Sequence, residues 1–211
     1  MSKNSRVLKA LLAVWVVGAT AGCQPECKLG FIGDKSASPL VQLIALGNDQ
    51  QVIELSDHSA LPIYLPPQGG RVVMVGVKAK NLTACGAQLT ASLRDPSSGQ
   101  RRLDSRTINL VSREGGFGGS VDNDISTFAN VPVCPNQWAK GDVFDTEYSL
   151  TVNLVDQTQR SVTTVISVTP TCVGGSPETE AECRCLCKGG YVLGESCGGV
   201  TDGGVPDGGS H

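Results

Sequence analysis

Nine cysteines are the residues of this 211-residue chain with the clearest potential for chemistry. As thiolates they could ligate a soft metal, and in an oxidising compartment they could form disulfides. Such a number indicates an oxidising compartment, and an odd count in an exported protein leaves one cysteine over. The nine positions are Cys23, Cys27, Cys85, Cys134, Cys172, Cys183, Cys185, Cys187 and Cys197.

The densest group is Cys183-Arg-Cys185-Leu-Cys187. In an extended segment these three side chains would point the same way at intervals of about 6.6 Å, an arrangement that could chelate zinc. However, the segment contains no histidine, and C-x-C-x-C is not a usual zinc spacing. We therefore expect disulfides here, and neither a metal site nor a cofactor.

Histidine is scarce, which argues against nucleophilic catalysis because that chemistry needs a base held beside the nucleophile. The two histidines are His58, in a polar turn, and His211, the last residue. We expect neither to be held rigidly, so the sequence predicts no catalytic residues and a protein that is not an enzyme.

Two carboxylates, Asp122 and Asp124, are weak candidates for calcium because loops between strands can supply oxygen ligands to that ion. Turn residues that bond their own backbone are the favoured interpretation.

The overall charge of −3 and a pI near 5.4 argue against a nucleic-acid partner, which requires a concentrated basic face. Aromatic residues make up only 4% of the chain, too few for a base-stacking platform.

The first 21 residues have the layout of a secretory signal. Lys3, Arg6 and Lys9 precede an apolar run over residues 10–21. As a helix this run would reach only about 18 Å, short of the roughly 30 Å hydrocarbon core of a bilayer. It therefore predicts export rather than a permanent membrane span.

The run ends in Thr20-Ala21-Gly22-Cys23, which resembles a bacterial lipobox. That resemblance implies removal of residues 1–22 and lipidation of Cys23 with fatty acyl chains such as palmitate. Gln24, where a retention signal would have Asp, implies the outer membrane. The pattern departs at Thr20, where Leu is usual, and Ala19-Thr20-Ala21 also fits ordinary cleavage, which would release a soluble protein beginning at Gly22.

From Leu40 to Pro170 the hydrophobic pattern has a period of two, which predicts about seven short strands and an all-β fold. The strongest strand is expected over residues 71–80. Residues 88–94 also alternate, and Asp95-Pro-Ser-Ser-Gly99 is typical of a turn.

The segments 147–156 and 161–169 alternate on either side of a polar turn. They resemble the closing hairpin of bacterial immunoglobulin-like modules of the PKD and cadherin-like kind. The resemblance implies an immunoglobulin-like antiparallel β-sandwich, and the strand spacing supports a sandwich independently. The turn, residues 157–160, lacks the glycine usual in those modules.

The predicted organisation is a signal peptide (1–22), a lipidated N-terminus and tether (23–37), the sandwich (38–170), a small disulfide-rich appendage (171–197) and a tail (198–211). The appendage holds five cysteines in 27 residues, too short a segment to build a core of its own. The Gly/Asp-rich tail is expected to be disordered.

Cysteine pairing can be narrowed but not solved. Cys85 and Cys134 lie alone within the sandwich segment, so we expect them to pair. Extended geometry disfavours bonds within residues 183–187. Each of the three cysteines there should then pair with Cys27, Cys172 or Cys197, which would fold the appendage onto the base of the sandwich beside the tether.

The expected function is a non-catalytic binding or structural module of the cell envelope, held to a membrane by its lipid. An accessory subunit that docks on an envelope protein partner through the cysteine-rich segment is an alternative. A metal-dependent or hydrolytic enzyme is disfavoured. The sequence indicates no oligomeric state and no ligand.

Overall fold

The computed structural model describes residues 28–120, 125–173 and 175–197, and it confirms the all-β prediction. These residues form thirteen strands, one helix and two 3₁₀ turns, Glu114–Gly116 and Ile125–Thr127. The elements are β1 (Phe31–Ile32), β2 (Leu40–Leu46), β3 (Val52–Leu55), β4 (Ser59–Tyr64), β5 (Arg71–Lys80), β6 (Leu82–Thr83), β7 (Ala87–Arg94), β8 (Arg101–Ile108), β9 (Leu110–Ser112), β10 (Gly118–Ser120), β11 (Ala129–Cys134), β12 (Tyr148–Val155), β13 (Ser161–Thr171) and helix α1 (Pro177–Cys187).

One curled sheet forms both layers of the fold, in the order β3-β2-β5-β4-β13-β12-β7-β8, and β11 and β10 also pair with β5. Strand β4 joins the layers because it pairs with β5 antiparallel and with β13 parallel. The described strand pairs are otherwise antiparallel. A separate two-stranded ribbon, β1 with β6, lies where the described chain begins.

The hydrophobic core lies between the layers, and alternation along the strands supplies it. In β7, Leu89, Ala91 and Leu93 are fully buried while Gln88 and Arg94 are exposed. The predicted closing hairpin is confirmed, with β12 and β13 in register from Tyr148↔Val168 to Val155↔Ser161.

Strand β5 is buried on both faces. A second cluster, Ile44, Leu46, Tyr64, Met74 and Phe128, covers the face that points away from the main core. The ring of Phe128 lies so close to Gly76 that a Cβ there would stand 2.7 Å from it, so the packing requires glycine.

Tyr148 begins β12, and its hydroxyl donates a hydrogen bond to the backbone oxygen of Asp142 (3.0 Å). Its ring packs against Trp138, with centroids 5.6 Å apart. A tyrosine at this place, bonded to the backbone a few residues upstream, is the tyrosine corner of immunoglobulin-like sandwiches.

The two ends of the sandwich differ in what covers them. Arg71, at the start of β5, lies beside Cys134 and hydrogen-bonds to α1, which defines the capped end. Lys80, at the end of β5, lies beside Leu40 and close to the β1–β6 ribbon, which defines the N-terminal end. Ten residues of strand separate these ends by about 30 Å.

Candidate functional site at the capped end

Helix α1 replaces the extended segment that we expected around Cys183, Cys185 and Cys187. Ser176 caps it, since the backbone N–H of Thr179 donates to the Ser176 hydroxyl (3.4 Å), and Pro177 occupies its first turn. Glu178 near the N-terminus and Arg184 in the last turn also favour a helix electrostatically.

Each cysteine of α1 bonds to a cysteine outside the helix. Cys183 pairs with Cys172, Cys187 with Cys134 and Cys185 with Cys197. Cys183 and Cys187 are four residues apart and buried in the main core, whereas Cys185 faces the loop that follows the helix. The helix is therefore fixed to the sandwich on one face and to its own tail on the other.

The predicted Cys85–Cys134 pair is wrong. Cys134 ends β11 at the capped end, while Cys85 follows β6 at the N-terminal end, so the length of the sandwich separates them. The predicted placement of the appendage beside the tether is wrong for the same reason: α1 covers the end opposite the β1–β6 ribbon. Cys187 bonds to Cys134, not to Cys27.

Backbone bonds also join the cap to the loop before β12. Asn136 N donates to Leu186 O and Val143 N to Cys187 O, both at 2.8 Å. Asp142 accepts from Gly189 N (2.7 Å). The disulfide-rich C-terminal region thus contributes Cys172, Cys183 and Cys187 to the core of the sandwich.

A buried ion pair holds the start of α1. The Arg71 side chain is only 4% exposed, and its Nη2 donates to Glu182 Oε2 (2.8 Å) and to Thr179 O (3.3 Å). Burial lowers the pKa of Arg71, and the charge of Glu182 opposes that shift. The guanidinium is thus neutralised by the helix that it positions.

Beside this ion pair lies a cavity of about 220 Å³ between β4, the residues that follow β13 and the start of α1. Asn48 fixes its walls by donating to Ile63 O (3.0 Å) and Val173 O (2.8 Å) and by accepting from Leu65 N (3.1 Å). Leu65 and Val173 line the cavity and remain 40% and 47% exposed. These two side chains give the cavity an exposed apolar rim.

Three sulfurs meet at this end, since those of Cys172, Cys183 and Cys187 lie within 4.8 Å of one another. All three belong to disulfides, and a metal ligand is the thiolate rather than the disulfide sulfur. The cluster is two adjacent disulfides that wedge α1 against β11 and the end of β13.

Two buried aspartates organise turns at the two ends. Asp95 at the capped end accepts from Ser97 N, Ser98 N and Lys140 N (3.1, 3.0 and 3.4 Å). Burial raises the pKa of Asp95, but these bonds and one from the Ser98 hydroxyl outweigh it, so the net pKa is lowered. Burial, with the charges of Asp95 and Asp142, raises the pKa of Tyr148 nearby.

Asp156 organises a turn at the N-terminal end by accepting backbone hydrogen bonds, as Asp95 does at the capped end. This is the turn between β12 and β13, which lacks glycine. Asp156 accepts from Thr83 N (2.7 Å), Thr158 N (2.8 Å) and Arg160 N (2.9 Å), and Gln159 adopts the left-handed conformation in place of glycine (φ 66°). Arg160 then donates to the backbone oxygens of Asn81, Lys35 and Ala37. Residues 31–37, expected to be part of a tether, are therefore packed on the sandwich.

His58 is held, contrary to our expectation. Its Nδ1 lies 2.6 Å from Glu147 Oε2, and its Nε2 lies 3.4 Å from Asp57 Oδ2. The hydrogen bond to Glu147 raises the pKa of His58, and the charges of Asp57 and Glu147 add to the shift. The ring is 69% exposed and fastens the loop before β4 to the start of β12, so this contact joins strands on the surface.

Several predicted residues cannot be placed. Cys23, Cys27, Asp122, Asp124 and His211 lie outside the described residues. Cys85 is disulfide-bonded, and the other six described cysteines pair among themselves.

Sequence reasoning missed Arg71 and Asn48, which position the cap. An arginine after Gly69-Gly70 and an asparagine in a turn carry no local signal of burial or of long-range bonding. The Ser176-Pro177-Glu178 start of α1, in contrast, was a visible helix signal.

Within the part of the chain that the structure describes, no helix has the length and apolarity needed to cross a membrane. No known protein family matches the sequence, and no curated protein is significantly similar to it.

Proposed function

We propose that the protein is an exported lipoprotein of the cell envelope, anchored through Cys23, that presents its capped end as a non-catalytic binding surface. The observation that carries this proposal is the placement of the first described residues and the disulfide cap at opposite ends of the sandwich. An anchor at one end leaves the other end free to meet a partner.

The number of cysteines left over by the described disulfides supports a lipid on Cys23. Since the other described cysteines pair among themselves, the partner of Cys85 must be Cys23 or Cys27. The β1–β6 register, Phe31↔Thr83, continues to place residue 29 opposite Cys85, and Ala84 N donates to Gly30 O (3.0 Å). Cys27 is two residues from that position, so we propose that it pairs with Cys85 and leaves Cys23 for the lipid.

Cell fractionation tests the anchor. The wild-type protein should be found in the membrane fraction, and the matched comparison is Cys23→Ala expressed in the same cells. That substitution removes the acylated thiol, and each buried CH₂ of a lipid contributes about 0.8 kcal/mol to membrane binding, so the variant should become soluble. A Cys23→Ala protein that stays in the membrane fraction contradicts the proposal.

Intact mass of the mature protein tests the pairing. We expect a mass with acyl chains on Cys23, four disulfides and no free thiol. Cleavage after Ala21 would instead give an unacylated chain that begins at Gly22 with Cys23 as a free thiol. A peptide map that joins Cys85 to Cys23 contradicts the proposal.

The surface of the cap supports the binding role. Besides Leu65 and Val173 at the cavity, Val192 and Leu193 in the loop closed by Cys185–Cys197 are 66% and 70% exposed. Contiguous exposed apolar patches mark protein contact surfaces, and we propose that these four side chains form one. These residues favour, as a second candidate, an accessory subunit that docks through its cysteine-rich segment.

Photo-crosslinking in cells tests this surface. A photoreactive residue at Val173 or at Leu193 should give one and the same adduct, because both belong to the cap. The matched controls are Leu103 and Val165, which are 58% and 60% exposed in the middle of β8 and β13, away from the capped end. Equal adducts from all four positions would mean that the cap is not a specific surface.

A further inference from the structure

We infer that the N-terminal end of the sandwich lies directly on an anionic lipid surface, an inference that rests on the proposed anchor at Cys23. The surface concerned, here called the basal patch, consists of Leu29, Phe31, Lys35, Leu40 and Lys80.

Chain length is the first argument. Five residue steps separate Cys23 from Lys28, the first described residue, and they span at most about 18 Å when fully extended. The sandwich is about 30 Å long, so the capped end cannot reach the membrane without inverting the molecule. The N-terminal end is the part that the anchor holds near the lipid.

The composition of the basal patch fits such a surface. Leu29 and Leu40 are 44% and 49% exposed, large apolar side chains that the sandwich does not cover. Leu40 lies opposite Lys80 in the β2–β5 pair, and Lys35 Nζ lies 5.7 Å from the ring of Phe31. Apolar side chains that can enter the headgroup region, flanked by lysines that bind anionic headgroups, characterise proteins that rest on membranes.

Hydrogen bonds hold the loop of Lys35 in place beside the end of β5. The side chain of Asn81 accepts from Asp34 N (2.9 Å) and donates to Ser38 O (2.8 Å), which fixes the loop of Lys35 beside the end of β5. Arg160 binds the same loop through its backbone oxygens. Asp34, the acidic residue of this loop, accepts from the backbone and hydroxyl of Ser36 (2.8 and 2.7 Å).

Charge distinguishes the two ends. From the start of α1 to Cys197 the cap carries four glutamates against Arg184 and Lys188, and one of the four, Glu182, is paired with Arg71. An anionic membrane surface therefore repels the cap and attracts the basal patch, which favours an upright molecule with its strands along the membrane normal.

Tryptophan quenching in vesicles tests this orientation. The mature lipoprotein is reconstituted in vesicles of phosphatidylcholine and phosphatidylglycerol that contain nitroxide-labelled lipid. Leu40→Trp reports on the basal patch, and Leu193→Trp is the matched variant at the cap. Both replace exposed leucines, and both keep the same buried Trp138 as a common background. Circular dichroism checks that both are folded.

We expect Leu40→Trp to lose most of the emission of its added tryptophan and Leu193→Trp to lose almost none. Adding Lys35→Glu and Lys80→Glu should restore much of the Leu40→Trp emission, whereas Lys140→Glu at the cap should not. Equal quenching at positions 40 and 193, or stronger quenching at 193, overturns the inference while the anchor stands. A basal patch that instead binds a second copy or another protein would leave Leu40→Trp unquenched, which also overturns it. If the protein fails to associate with vesicles at all, the proposed anchor itself is wrong.

Discussion

Removal of the Cys134–Cys187 disulfide should cost more stability than removal of either of the other two described disulfides. It closes a loop with a sequence separation of 53 residues, against 11 and 12 for Cys172–Cys183 and Cys185–Cys197. The chain-entropy relation gives about 4 kcal/mol for the long loop and about 3 kcal/mol for each short one. Cys134 and Cys187 are also buried in the main core, so their truncation to alanine loses packing as well.

The assay is equilibrium unfolding in urea of Cys134→Ala/Cys187→Ala, followed by tryptophan fluorescence. Trp138 is a suitable probe because it is 4% exposed and its indole N–H donates to Val133 O (2.9 Å), next to Cys134. The matched control is Cys185→Ala/Cys197→Ala, which opens a loop at the surface. We expect the free energy of unfolding to fall by at least 4 kcal/mol in the first variant and by at most about 3 kcal/mol in the control.

Equal losses in the two variants would refute the reasoning, since the difference depends on loop length and burial. A loss below about 1 kcal/mol in the first variant would show that the cap is not fixed to the sandwich as described. Non-reducing peptide mapping of both proteins must first show that the remaining disulfides are unchanged.

Three further predictions concern charged groups. Because its pKa is raised by Glu147, protonated His58 stabilises the fold fully below the pKa of an unfolded histidine. That contribution is lost as pH rises through the folded pKa. Since asparagine tolerates the same left-handed backbone, His58→Asn should abolish this particular loss of stability in thermal melts, while the pH dependence from other groups remains. Asp156→Asn should lower the unfolding free energy by about 1–3 kcal/mol at neutral pH, because an acceptor of buried N–H groups is lost. In the wild-type protein, the contribution of Asp156 to the unfolding free energy should disappear as pH falls through its lowered pKa. An Asp156→Asn protein as stable as wild type in urea would contradict this role. Glu182→Ala should cost about 3 kcal/mol by leaving the Arg71 charge buried alone, and Arg71→Met added to it should recover part of the loss in the same assay.

The strands could be predicted because alternation is a local signal. Leu89, Ala91 and Leu93 read as one face of a strand in the sequence and are buried together in the structure. The closing hairpin was equally visible, although its turn depends on Asp156 and on a left-handed Gln159 rather than on glycine. Burial of β5 on both faces was not predictable, because Phe128 reaches Gly76 from a distant part of the chain.

The capped end could not be predicted because its contacts join residues that are far apart in the sequence. Arg71 and Glu182 are 111 residues apart, and Asn48 and Val173 are 125 residues apart. Pairing of Cys85 with Cys134 looked natural along the chain. It failed because β6 and β11 end at opposite ends of the sandwich, which only the strand directions reveal.

The helix explains why three alternating cysteines can serve two purposes. At about 100° per residue, Cys183 and Cys187 lie within about 40° of each other, while Cys185 lies about 200° from Cys183. In a strand all three would have faced the same way, and the segment could have been attached to one surface only. In α1 two cysteines enter the core and bond to Cys134 and Cys172, and the third remains outside to hold Cys197. The spacing that resembled a metal-binding strand is therefore that of a helix stapled on both sides. Its outer disulfide fixes the loop that carries Val192 and Leu193, so the same three residues that close the sandwich also rigidify the surface proposed to meet a partner.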